Sequence, residues 1–196
     1  GLNTGGMGAI SPVPFVSKEF LEKVHNRIIK PTIKGLHKDQ LPYKGFIFIG
    51  LIKVGEDPFV IEYNVRMGDP ETQVVLPRIK NDFLELMVKT ATGKLNSVKL
   101  EIEKMSYANV VAVSNGYPEQ YEKGKIINGL EAESDSIIFH AGTKNESENI
   151  VTNGGRVFSV VSKAENFDLA LKKSYQNIRS INFEGIQYRK DLGFDL

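Results

Sequence analysis

The sequence predicts an α+β fold: antiparallel strands with flanking helices over residues 1–100, then a small mainly-β unit over residues 101–196. Three patterns point there. An apolar run at 46–52 and an alternating run at 59–66 flank Val54-Gly55-Glu56-Asp57-Pro58, the pattern of a β-hairpin. Helical spacing recurs on both sides of that pair, in the apolar stripe of Phe20, Leu21, Val24 and Ile28 and in the inward face of Phe83, Leu86, Met87 and Thr90. Beyond a polar stretch near 95–104 the chain turns to short strands separated by Asn-Gly and Gly-Gly turns.

Taken in order, residues 3–12 form a glycine-rich loop. Ser17 can cap a helix with Glu19 in its first turn, and Pro31 should kink or break that helix near Lys30. The run at 46–52 is apolar almost throughout, which suits a strand covered on both faces. Residues 74–79 suit a short apolar turn or helix, and Asp82 with Glu85 starts the next helix, which ends at Gly93. Strands follow at 107–114, 125–127, 136–141 and 156–162, then a helix capped by Asn166 with Phe167, Leu171, Tyr175 and Ile178 inward.

The chain has 196 residues, 41% hydrophobic and 25% charged, with a formal net charge of +1. Such a balance supplies a core but no basic field for nucleic acid or a membrane surface. No apolar run approaches the roughly 20 residues that span a bilayer. The absence of cysteine removes disulfides, thiolate metal sites and a cysteine nucleophile, and is consistent with a cytoplasmic protein.

The chemistry concentrates in residues 60–73. Ile61, Tyr63 and Val65 alternate with Glu62, Asn64 and Arg66, so a strand carries the three polar side chains on one face. A carboxylate and an amide carbonyl about 7 Å apart along a strand can converge on one hard cation, with phosphate oxygens completing the shell. Arg66 beside them would grip an anionic substrate or developing phosphoryl charge. The following turn, Gly68-Asp69-Pro70-Glu71, adds two carboxylates whose repulsion calls for a nearby cation or donor. In the loop at 3–12, Gly5, Gly6 and Gly8 permit close backbone approach, so successive N–H groups can line an anion-binding concavity. Arg156, after Gly154-Gly155, either stands at the rim of a site or simply starts a strand.

Two segments carry a resemblance. Residues 61–73, Glu-x-Asn-x-Arg-x-Gly-Asp-Pro-Glu-Thr-Gln from Glu62, resemble the signature of the phosphoribosylamine–glycine ligases, which are ATP-grasp enzymes of purine biosynthesis. Residues 3–12, Asn-Thr-Gly-Gly-Met-Gly-Ala-Ile-Ser-Pro, resemble the same family's glycine-rich loop, with Ile10 where the family has tyrosine and Leu2 where it has proline. Residues 186–193 resemble its C-terminal Tyr-Arg-x-Asp-Ile-Gly.

The resemblance implies the second half of an ATP-grasp domain over 1–100 and the family's C-terminal domain over 101–196. It also implies a C-terminal fragment without the N-terminal domain and ATP lid, inactive by itself. The implied reaction joins glycine to 5-phosphoribosylamine with ATP, giving glycinamide ribonucleotide, ADP and phosphate, with Mg²⁺ or Mn²⁺ assisting. Glu62 and Asn64 are then the metal ligands and Arg66 the catalytic arginine. The substrate site draws on Asn3, Thr4, Gly5, Gly6, Met7, Gly8, Ser11 and Pro12, and on Arg66, Gly68, Asp69, Pro70 and Glu71. Two alternatives stand beside it: another purine-pathway ATP-grasp ligase, or a non-catalytic nucleotide- or partner-binding module when isolated.

Overall fold

The apolar run at 106–113 forms strand β4 (Ser106–Val113), an inner strand of a four-stranded antiparallel sheet. The computed structural model describes residues 4–131, 134–194 and 196. The sheet runs in the order β1 (Gly8–Ser11), β4, β8 (Arg156–Ala164), β5 (Ile137–His140). Ala108, Val110 and Ala112 of β4 meet Ala170, Leu171 and Ile178 of helix α5 (Phe167–Ile178), together with Phe158 and Val160 of β8. Its other residues pack in separate groups: Val111 and Val113 with Met7 and Tyr117, and Tyr107 with Val74 and Val161. Burial on both faces is why β4, apart from Ser106 and Asn109, is hydrophobic on both sides instead of alternating. Helix α5 starts as its cap requires, with Asn166 Oδ1 accepting from the Leu169 amide at 2.9 Å.

Part of the glycine-rich segment is strand. Residues 8–11, expected as loop, form β1 at the sheet edge, with Gly8 opposite Val110 and Ser11 opposite Tyr107. Ile10 packs against the main core, so an aliphatic side chain suits this position. A Cβ on Gly8 would lie 3.0 Å from the Asn109 carbonyl oxygen and 2.7 Å from Leu192 Cδ2, so a larger residue would crowd β4 and push the Leu192 tip aside. The C-terminal segment is tied in by a reciprocal backbone pair between Val113 and Gln187, at 2.8 and 2.9 Å. Two further differences concern short strands. Residues 125–127 make only a bridge, Ile126 to Val151, where a strand was expected. An unpredicted hairpin, β6 (Thr143–Glu146) with β7 (Asn149–Thr152), turns at Ser147 with φ of 56°. Its residues alternate too weakly in polarity to announce a strand.

These elements belong to one of two compact units, which gathers the described residues through Pro12, Asp69–Ile79 and Ile102 to the C-terminus. The other takes Val13–Gly68 and Lys80–Glu101, so neither is a continuous half of the chain. In this hairpin unit, Ser17 Oγ accepts from the Phe20 amide at 3.1 Å and starts α1 (Lys18–Val24). Phe20, Val24 and Ile28 are buried as their spacing predicts, whereas Leu21 is 55% exposed. Pro31 does not break the helix. The chain widens to a π-turn over His25–Ile29, with the Lys30 amide bonded to the His25 carbonyl, and resumes as α2 (Lys30–Lys38). Taking up the missing proline N–H at a wider turn lets the helix run on without a break.

Strands β2 (Phe48–Val54) and β3 (Asp57–Asn64) form the expected hairpin around Gly55, whose φ of 59° suits glycine. The sheet stops at two strands. β2 is therefore not covered on both faces: Ile52 and Val54 are exposed, as are Ile61 and Val65. Strand β3 also ends at Asn64, so Arg66 lies in a bend beyond it instead of sharing its pleat. Helix α4 (Phe83–Ala91) starts at Asp82, whose Oδ1 accepts from the Glu85 amide at 2.8 Å; Leu86 is buried while Phe83 is exposed. No helix among the described residues is long and apolar enough to cross a membrane.

Lys23 Nζ and Arg27 bind Asp57 Oδ1 at 2.9 and 2.8 Å, tying α1 and the π-turn to the hairpin. These donors hold the Asp57 carboxyl below its ordinary 3.8. A depressed folded value gives stabilisation that is complete above pH 3.8 and is lost as pH falls through the folded value. Asp57→Asn should thus lower the urea midpoint near neutral pH at low salt and leave it unchanged well below pH 3.8. An equal loss at both would show that the pair carries no pH-linked stability.

Candidate functional site

In the hairpin unit, the pleat brings Glu62 and Asn64 together as their spacing predicts. Asn64 Nδ2 donates to Glu62 Oε1 at 2.8 Å. Gly50 pairs with Glu62 across the hairpin, and a Cβ there would sit 2.9 Å from Glu62 Cγ, so this glycine keeps room beside the carboxylate. Glu62 is exposed and Asn64 half-buried. Both offer hard oxygen donors of the kind that Mg²⁺ or Mn²⁺ prefers, once the Asn64 amide rotates its carbonyl toward the carboxylate. No group of three or more His, Asp or Glu side chains suited to a metal ion occurs among the described residues. The pair's chemistry would suit a hard cation that takes its other oxygen ligands from elsewhere. Arg66 folds back, donating to the Met67 carbonyl at 2.8 Å, and is exposed.

In the sheet unit, Arg156 resolves the electrostatic difficulty of the acidic turn. Its NH2 bonds Asp69 Oδ2 at 2.8 Å and its NH1 bonds the Asp69 carbonyl at 2.7 Å. NH1 also reaches the Gly6 carbonyl at 3.4 Å. Gln73 Nε2 takes the other Asp69 oxygen at 3.0 Å. Sequence spacing called for a cation or donor near Asp69, and it is an arginine 87 positions away. Pro70 is fully buried, and its carbonyl accepts from Asn109 Nδ2 at 3.1 Å. The Asn109 Oδ1 atom is buried without a hydrogen-bond partner. Glu71 ends the turn, its carbonyl accepting from the Val74 and Val75 amides at 3.0 Å as α3 (Thr72–Val75) begins.

The glycine-rich residues divide by role. The Thr4 carbonyl accepts from the Met7 amide at 3.1 Å, closing a 3₁₀ turn over Gly5–Met7. Met7 is buried against Val111, Val113 and Tyr117, so its side chain anchors the turn and is not presented to a ligand. Gly6 lies against Tyr117 and Arg156, where an added Cβ would meet the Tyr117 hydroxyl and Arg156 NH1 at 3.3 Å. Ser11 Oγ accepts from Arg78 NH1 at 2.8 Å, and Arg78 NH2 holds the Glu103 carbonyl at 3.2 Å. Burial lowers the Arg78 pKa while Tyr107 and Glu103 raise it. Pro12 closes the segment, Gly68 is buried, and Asn3 lies outside the described residues.

From the sequence, Arg156 stands either at the rim of a site or at the start of a strand, and nothing signals Asn109, Arg78 or Tyr117. Gln73 is not singled out either, although residues four apart on a helical turn face each other and its spacing from Asp69 could have pointed to it.

Two family models match the chain. The phosphoribosylglycinamide synthetase ATP-grasp (A) domain covers residues 1–72, and the C domain of the same synthetase covers residues 107–195. The chain belongs to the phosphoribosylglycinamide synthetase family. A phosphoribosylamine–glycine ligase of Caldanaerobacter subterraneus is 45% identical over 98% of this chain and 46% of its own length. A bifunctional purine biosynthetic protein of Pichia angusta is 46% identical over 98% of this chain and 25% of its own length. The crystal structure of a phosphoribosylamine–glycine ligase from Thermotoga maritima superimposes with a TM-score of 0.86 at 34% identity, covering 97% of this chain and 47% of that one. The chain thus spans about half the length of the single-function relatives it matches. A urea amidolyase from K. lactis shares the fold alone, with a TM-score of 0.68 at 14% identity.

Proposed function

We propose that this chain forms part of a cytoplasmic ligase that joins glycine to 5-phosphoribosylamine at the expense of ATP, in purine biosynthesis. One observation carries this reading: proteins named phosphoribosylamine–glycine ligase match 98% of the chain at 42–45% identity. In the proposed reaction a glycine carboxylate oxygen bonds to the γ-phosphorus of ATP as the bond to ADP breaks. The amine of phosphoribosylamine then attacks the activated carbonyl, and phosphate leaves as the new carbon–nitrogen bond forms and the amine gives up a proton.

Glu62 and Asn64 would hold Mg²⁺ or Mn²⁺, which supplies charge neutralisation of the triphosphate when bound. Arg66 would swing off the Met67 carbonyl to hold anionic phosphoryl oxygens. The segment at 4–12, with Asn3 before it, and the turn at 68–71 would position the amine substrate. The substrates are small molecules; nucleic acid and membrane have no part in this reading.

The test is ADP release with phosphoribosylamine, glycine, ATP and Mg²⁺, run on the full-length protein carrying this chain and on the 196-residue chain alone. Activity in the first and none in the second is expected. No ADP release from a folded full-length protein would overturn the assignment.

A further inference from the structure

We propose that Arg156 is a positioning residue that sets the spacing between the glycine-rich turn and the acidic turn, and thereby the fit of the phosphoribosyl end of the amine substrate. The substrate in this proposal rests on the ligase reading above; the clasp itself does not.

One guanidinium joins segments that sequence keeps far apart, reaching Gly6 across 150 positions and Asp69 across 87. Its base is fixed. Arg156 opens the inner strand β8 opposite Val113, and the Gly155 before it is pressed under two rings, where a Cβ would lie 2.9 Å from Tyr121 Cε1. Gly154 is just as close to Gly142, with 2.9 Å from a built Cβ to the Gly142 Cα. Each end of the clasp is locally anchored as well: Asp69 by Gln73, Pro70 by buried Asn109, and the glycine-rich turn by buried Met7. The anchors hold each turn to its own surroundings, and Arg156 is the side chain whose bonds reach both. A planar fork can bond a carboxylate and two carbonyls at once, which a lysine ammonium on a flexible stem does poorly. Three of its five guanidinium hydrogens are directed at Asp69 and Gly6, so Arg156 is assigned the role of positioning the turns.

Amide hydrogen exchange on the 196-residue chain tests the clasp directly. Arg156→Ala should speed exchange at Met7 and Thr72 about tenfold or more, with Val110 and Val111 of β4 unchanged. In the full-length ligase the same substitution should raise KM for phosphoribosylamine about tenfold to a hundredfold and leave KM for ATP within about twofold. Arg156→Lys should recover only part of either effect, and Asp69→Asn combined with Arg156→Ala should add little to Arg156→Ala alone. Unchanged exchange, an equal rise in both KM values, or full recovery with lysine would each overturn the proposal. If the unsubstituted full-length protein does not use phosphoribosylamine, the ligase reading fails while the exchange result still decides the clasp.

Discussion

On the proposed ligase reading, Glu62→Gln in the full-length protein carrying this chain should reduce ADP release about a thousandfold or more, with the fold intact. The side chain is exposed and its one described hydrogen bond is to Asn64, so its loss removes little packing. What it removes is a formal negative charge from the proposed cation pair, which no cluster of three or more His, Asp or Glu among the described residues could replace. In that proposed pair the amide of glutamine would be a weaker donor to a hard divalent ion than the carboxylate it replaces. Excess Mg²⁺ or Mn²⁺ should recover part of the rate if the loss is one of metal affinity. The decisive measurement is turnover against metal concentration, with circular dichroism to verify the fold. Near-normal turnover at ordinary metal concentration would remove Glu62 from the metal site.

Phe158→Ala should cost about 3–5 kcal/mol, read as a large drop in the urea midpoint of the chain. Phe158 has no exposed surface and meets Phe183 edge-on, with ring centroids 6.2 Å apart and planes at 77°. It sits in the core between the sheet and α5, in a cluster with Ala112, Ile178 and Ile181, where a deleted ring leaves a cavity that branched neighbours cannot refill. It is also two residues along β8 from Arg156, on the same inner strand. Loss of the ring should therefore loosen the Arg156 clasp and speed exchange at Met7 in addition to lowering global stability. A midpoint within experimental error of the unsubstituted chain would show that the core closes around the gap.

The sequence by itself determined the local pieces. Ser17, Asp82 and Asn166 cap the helices that their patterns predict, because a cap needs only a side-chain oxygen three residues before an unpaired amide. The hairpin of β2 and β3 and the meeting of Glu62 with Asn64 were equally legible, since the pleat puts residues two apart on one face. So was the family, from the motifs at 3–12 and 61–73.

Other features depended on partners distant in the chain. That residues 8–11 would leave a glycine-rich loop to become an edge strand depends on β4, about a hundred positions later. Whether apolar residues of β2 and β3 are covered depends on what layers lie against them, which periodicity does not specify: Ile52 and Ile61 have the right pattern and remain exposed. The acidic turn announced that it needed a positive partner, because two neighbouring carboxylates repel wherever they are placed. Which arginine answers was decided only by the sheet, whose pairing of β4 with β8 brings Arg156 to Asp69 across 87 residues. Charge requirements are local and can be read along the chain; the side chain that satisfies them is chosen by three-dimensional packing.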